Sequence, residues 1–197
     1  MRDAAFVTAI VTTLFAGPRA IPADYQDSEW QTANRIMGRN FIDPIAAEKF
    51  LEITYTERQY QDLTKIPFSK TTLEECKDTH ILFPGYPLSL ADLRGKSPMK
   101  IGFSAEDTSS WLVKQPFATK ERVVLRWYLI RKTPVPTAQR WAGALPKELH
   151  FDEQIPTAVE LVYAIVLHYL RTGKRMFRFP DRIYTSCASG DAGLNRL

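Results

Sequence analysis

The chain has 197 residues, enough for one domain of ordinary size and too few for two comfortable ones. Hydrophobic residues at 45% and charged residues at 24% lie at the globular average, which excludes a disordered or fibrous chain. The net charge of +4 is mildly basic, and the two cysteines, Cys76 and Cys187, cannot build a disulfide framework. No stretch reaches the roughly 20 apolar residues that a membrane span needs. The apolar run from Ala4 to Leu14 is expected to be a buried first helix rather than a secretion signal. Asp3 cancels Arg2, three threonines interrupt the run, and no small-x-small cleavage site follows. The cytoplasm is the expected compartment, with no membrane partner.

Ala4 to Phe15 reads as a first helix ended by Gly17-Pro18. Ser28 and Gln31 form a capping box ahead of Trp30 to Met37, and Gly38 is a stop signal. Asp43-Pro44 starts the next helix, since Asp accepts from free amides and Pro suits the first helical position. Thr56 with Gln59 is a second capping box, and Thr71 to Asp78 gives one more short helix. His80 to Phe83 predicts a strand closed by Pro84-Gly85. Ser89 with Asp92 caps a helical turn through Leu93, and Gly95 to Thr119 reads as loop.

Arg122 to Lys132 has the clearest strand pattern, with Val123, Leu125, Trp127 and Leu129 on one face. Pro156 to Arg171 has the clearest helix pattern and is apolar nearly all round. Its polar stripe of Thr157, Glu160, His168 and Arg171 is expected at the surface or in a cleft, and Gly173 caps it. Arg182 to Ser186 predicts a last strand. The expected class is α+β, several helices packed on a small antiparallel sheet of two to four strands. We expect a single domain over 1–197, helical to about residue 79 and mixed beyond.

Charge is unevenly distributed. From Ala23 to Asp62 there are eight acids against four bases, and from Lys120 to Arg182 twelve bases against six acids. Such asymmetry suits an anionic partner for the C-terminal half, and equally suits attraction between the halves. The segment Arg171 to Arg182 interleaves Arg171, Lys174, Arg175, Arg178 and Arg182 with Phe177 and Phe179. Cations pair with phosphates while aromatic faces stack on unpaired bases, the texture of a nucleic-acid surface. The plainer reading anchors the two Phe in the core and leaves the cations in water. Arg126, on the strand, joins the candidate contacts. So does Tyr86, which the rigid turn Phe83-Pro84-Gly85-Tyr86-Pro87 would offer to a protein partner unless that turn is simply a packed connection.

Catalytic patterns are thin. Cys76 and His80, with Cys187 and either His150 or His168, are the only zinc ligand set to be drawn, and no CxxC or HxxxH pair supports it. Ser186 or Cys187 with His168 as base and Glu160 as orienter fails as a triad. Glu160 and His168 lie about 12 Å apart along one helix. No phosphate loop, dinucleotide fingerprint or nucleophile elbow occurs. No metal or cofactor is expected, and the chain leans away from being an enzyme.

The segments His80 to Arg94, Arg126 to Pro136 and Pro156 to Phe177 together resemble a family of bacterial proteins with no assigned activity, found in Bacteroides relatives and in small-genome bacteria and associated with mobile elements. The resemblance spans roughly residues 28 to 186 and carries over no catalytic or binding residue. Family members continue with a longer strand-rich tail after Tyr184-Thr185-Ser186, where this chain has Asp191-AGLNRL, so a truncated or diverged version is expected. Three functions stay open. The first is a non-enzymatic protein whose basic C-terminal half contacts nucleic acid or a nucleoprotein complex, such as a mobile-element inhibitor of a host defence complex. The second is a protein–protein adaptor using the FPGYP turn and aromatic loops. The third is a small enzyme around His168 and Cys187.

Overall fold

The computed structural model describes residues 29–96, 116–132, 154 and 156–176. Helix α1 (Glu29–Met37) buries Trp30, Ala33 and Met37, which recur at helical spacing. It runs into a 3-10 turn, Gly38–Asn40. Helix α2 (Pro44–Leu51) begins where Asp43 accepts from the Ala46 amide at 2.7 Å. Helix α3 (Glu57–Asp62) carries the full Thr56/Gln59 capping box. Helix α4 (Lys70–Cys76), capped by Ser69, is followed by strand β1 (His80–Pro84) and helix α5 (Leu90–Lys96). At the start of α5, Asp92 accepts from both the Ser89 amide and its hydroxyl. Helix α6 (Pro116–Lys120), strand β2 (Trp127–Arg131) and the long helix α7 (Ala158–Thr172) complete the described elements.

The α+β class holds, with seven α-helices and a two-stranded antiparallel sheet among the described residues. The strands pair from His80 opposite Arg131 to Pro84 opposite Trp127. Every residue of β1 is buried, as its unbroken apolar run implies for a strand covered on both faces. On its other edge Phe41 forms a parallel bridge to Leu82, and the Ile42 amide donates to the Leu82 carbonyl at 2.9 Å. Helix α7 packs on α2, α5, β1 and the 3-10 turn, the central place that its apolar circumference predicts. Two buried phenols tie this core to the turn after β1. Tyr163 donates to the Pro84 carbonyl and Tyr55 to the Gly85 carbonyl, each at 3.2 Å. Burial holds both hydroxyls far above the ordinary phenol range.

Several expectations change. β2 starts at Trp127 rather than Arg122. The pairing continues to Arg126, whose carbonyl accepts from Gly85, and is lost upstream, where the Val124 amide donates to the Tyr128 hydroxyl and the Val123 amide to the Leu88 carbonyl. The stretch read as loop from Gly95 to Thr119 holds the end of α5 and all but the last residue of α6. Helix α4 stops at Cys76. The first helix, the Ser28 cap and the Arg182 to Ser186 strand lie outside the described residues.

Helix α2 ends on Glu52 in the left-handed region, at φ 48°. A side chain there strains the backbone, whereas glycine does not. Glu52 is exposed and contributes its carbonyl, not its carboxylate, to Lys96. Glu52→Gly is therefore expected to stabilise the fold by about 0.5–1 kcal/mol. A lower midpoint in urea unfolding would contradict this.

Candidate basic surface at the end of the long helix

Helix α7 begins with a capping box, whose Thr-x-x-Glu spacing is present in the sequence although both residues read there as part of a polar stripe. Thr157 accepts from the Glu160 amide, and Glu160 accepts from the Thr157 amide at 2.9 Å. Glu160 also accepts from Arg126 at 3.2 Å. The Arg126 guanidinium lies 4.7 Å over the Tyr128 ring. Arg126 is thus engaged at the N-terminal end of α7.

The other end of α7 is built differently. Gly173 takes φ +68°, and its amide donates to the Tyr169 carbonyl at 2.7 Å. This left-handed cap turns the chain back over the last helical turn. The Thr172 hydroxyl donates to the His168 carbonyl, and the Lys174 amide donates to Thr172 Oγ1. His168 Nδ1 lies 3.0 Å from the Lys174 carbonyl. Met176 is buried and anchors the segment, while the side chains of Arg171, Lys174 and Arg175 stand exposed. No ion pair among the described residues engages these three.

A fourth cation comes from the sheet. Lys132 follows β2, with its amide held by the Thr79 carbonyl at 2.8 Å. Its ammonium donates to Asn40 Oδ1 at 2.9 Å, and Asn40 belongs to the 3-10 turn that packs on α7. Burial pulls Lys132 below the usual lysine range, opposed by the Asp78 carboxylate. His168 is 8% exposed. It is held below the ordinary imidazole value, first by burial and then by the charges of Lys132 and Lys174, while its bond to the Lys174 carbonyl acts the other way. The cations favour the negative end of the helix dipole, which does not neutralise them.

The structure thus brings Arg171, Lys174 and Arg175 together at one helix end, while Lys132, which the residue pattern does not single out, is bonded to Asn40. It sets Arg126 apart, about 16 Å away along α7 by helical rise. Tyr86 is also elsewhere. Its hydroxyl donates to the Thr54 carbonyl at 3.3 Å and its ring packs edge-on against Tyr55. Phe177, Arg178, Arg182, His150, Ser186 and Cys187 lie outside the described residues.

The polar stripe of α7 divides. Arg171 reaches solvent, whereas Glu160 and His168 are buried with separate partners. Cys76 and His80 do not share a helical face, because α4 has ended and His80 opens β1. No group of three or more metal-ligating side chains occurs among the described residues. No described helix is long and apolar enough to cross a membrane. Comparison with known proteins finds no matching family model, no matching curated protein and no matching solved structure.

Proposed function

We propose that the chain is a non-enzymatic cytoplasmic binding protein whose basic surface at the C-terminal end of α7 contacts nucleic acid or a nucleoprotein complex. The observation that carries this reading is that Arg171, Lys174 and Arg175 stand exposed together at the C-terminal end of α7 with no ion pair among the described residues. Several cations at one helix end match the regular charge of a phosphate backbone, and their counterions are released when phosphates replace them. On this reading the protein acts by occupancy, as an inhibitor carried by a mobile element would in blocking a host defence complex.

The test is the affinity of a labelled single-stranded oligonucleotide measured across a salt series. Affinity is expected to fall steeply with salt, and the paired substitution Lys174→Ala with Arg175→Ala to weaken it. Each lost phosphate contact should reduce the slope of log affinity against log salt by about 0.7. Both side chains are exposed, so the substitutions leave the core intact. Unchanged affinity in the double variant overturns the reading. A protein partner that survives nuclease and both substitutions would instead favour the adaptor.

A further inference from the structure

The two edges of the sheet are finished differently. On the outer edge of β1, Phe41 bridges to Leu82, and the Ile42 amide donates to the Leu82 carbonyl at 2.9 Å. On β2 the bonds to β1 alternate. The Lys132 amide donates to the Thr79 carbonyl and the Arg126 carbonyl accepts from Gly85, so Tyr128 and Ile130 between them also face β1. Trp127 and Leu129 turn their amides and carbonyls the other way, where these groups meet no bonding partner among the described residues. Leu129 is partly exposed. Natural edges are blunted by charge, proline or a bulge, and Trp127 to Ile130 carries none of these. Open backbone groups on such a strand are a template for one strand more.

We infer that the outer edge of β2 accepts a third strand, and that its occupant is residues 182–186 of this same chain, added antiparallel. Direction and reach select this segment. Glu160, near the start of α7, bonds Arg126 just before β2. Tyr163, one turn on, packs against Phe83 and bonds the Pro84 carbonyl, and these two residues stand opposite Tyr128 and Trp127. Helix α7 thus sets out along β2 in the same direction. Its 15 residues cover about 22 Å, more than the roughly 17 Å of a five-residue strand, and so carry the chain to the Lys132 end. From Met176, the five residues before Arg182 allow a span of up to ~20 Å, about twice the width of a helix.

A strand entering at that end runs back against β2. It brings Asp181 to the end that carries Arg131 and Lys132, so opposite charges meet there. Ile183 and Thr185 alternate with Tyr184, residue types that suit a half-buried strand. A second copy of β2 fits this edge worse. Added antiparallel, it sets the cationic start of one strand against the cationic end of the other, Arg126 against Arg131 and Lys132.

The experiment follows hydrogen exchange of the Leu129 amide by NMR in the full chain, for the wild type, Ile183→Pro and Tyr184→Pro. Neighbours along a strand aim their amides opposite ways, so one of the two prolines must remove a donor directed at β2. The Leu129 amide is expected to exchange about a hundredfold more slowly in the wild type than in that variant. The Ile130 amide, which faces β1, should stay protected in all three proteins and reports that the fold is intact. An unprotected Leu129 amide in the wild type, or protection that survives both prolines, overturns the inference. Protection that rises with protein concentration also overturns it, in favour of a second copy. Should both variants fail to fold, nuclear Overhauser contacts between Leu129 and residues 182–186 of the wild type decide, and their absence overturns the inference.

Discussion

Replacing Gly85 by alanine is expected to destabilise the fold by about 3 kcal/mol, the upper end of the cost of overpacking. Gly85 closes β1, and a Cβ placed there would run into the carbonyl oxygen of Val124. It would also lie 2.6 Å from Cε2 of Tyr128 and 2.9 Å from Cγ1 of Val123. The first of these neighbours is backbone and cannot swing away. Nor can the glycine retreat, because its amide donates to the Arg126 carbonyl at 2.8 Å and its carbonyl accepts from the buried Tyr55 hydroxyl. Any shift that admits a methyl group therefore strains a buried hydrogen bond on one side or the other. The expected fall in melting temperature is roughly 6–12 °C. Gly95→Ala is the matched control. It adds the same methyl group to an exposed helical position with nothing within 4 Å and should be neutral or stabilising. Equal effects of the two substitutions would mean that the turn after β1 has slack that its contacts do not suggest.

That turn also marks the limit of what the residue pattern conveys. The punctuation is legible because each cap is local. Asp43, Thr56, Ser89 and Gly173 act within three or four residues of themselves, and all four stand where their chemistry puts them. The start of β2 is not legible. Val123 is buried and Val124 is 56% exposed, so the alternation of a strand is present there. The backbone bonds, however, go to Leu88 and to the Tyr128 hydroxyl rather than to a neighbouring strand. Alternation records which side chains are covered and is blind to which carbonyl receives each amide. The partnership of β1 with β2 has the same origin, since nothing near His80 announces that Arg131 will lie opposite.

The candidate site divides along the same line. Arg171, Lys174 and Arg175 are visible because they are neighbours in sequence at a helix end. The place of Lys132 is not visible there, since it depends on Asn40 holding the ammonium from a segment 92 residues away. Arg126 misleads for the opposite reason, because its partner Glu160 lies on a stripe that reads as solvent-facing. A polar stripe on an otherwise apolar helix marks burial with a partner as readily as it marks a surface, and composition alone does not separate the two.

The other large effect is expected at Trp127, which is 4% exposed. Its ring stacks on Phe41 at 5.7 Å and meets Trp30 edge-on at 6.3 Å. Trp127→Ala should cost about 4 kcal/mol, the usual range for deleting a large buried aromatic side chain. The more telling measurement is a double-mutant cycle with phenylalanine. The Leu63 carbonyl accepts from the Trp127 indole at 3.0 Å and from the Trp30 indole at 2.8 Å. A carbonyl oxygen has two lone pairs, so either indole alone satisfies it. Trp127→Phe and Trp30→Phe should therefore each cost little in hydrogen bonding, because the remaining donor still holds the acceptor. Together they leave the carbonyl buried with neither indole, and the double variant should lose about 1 kcal/mol more than the sum of the single losses. That excess, read from urea unfolding of the four proteins, separates a shared acceptor from two independent contacts. Strict additivity would mean that the two indoles contribute independently of each other and do not share the acceptor.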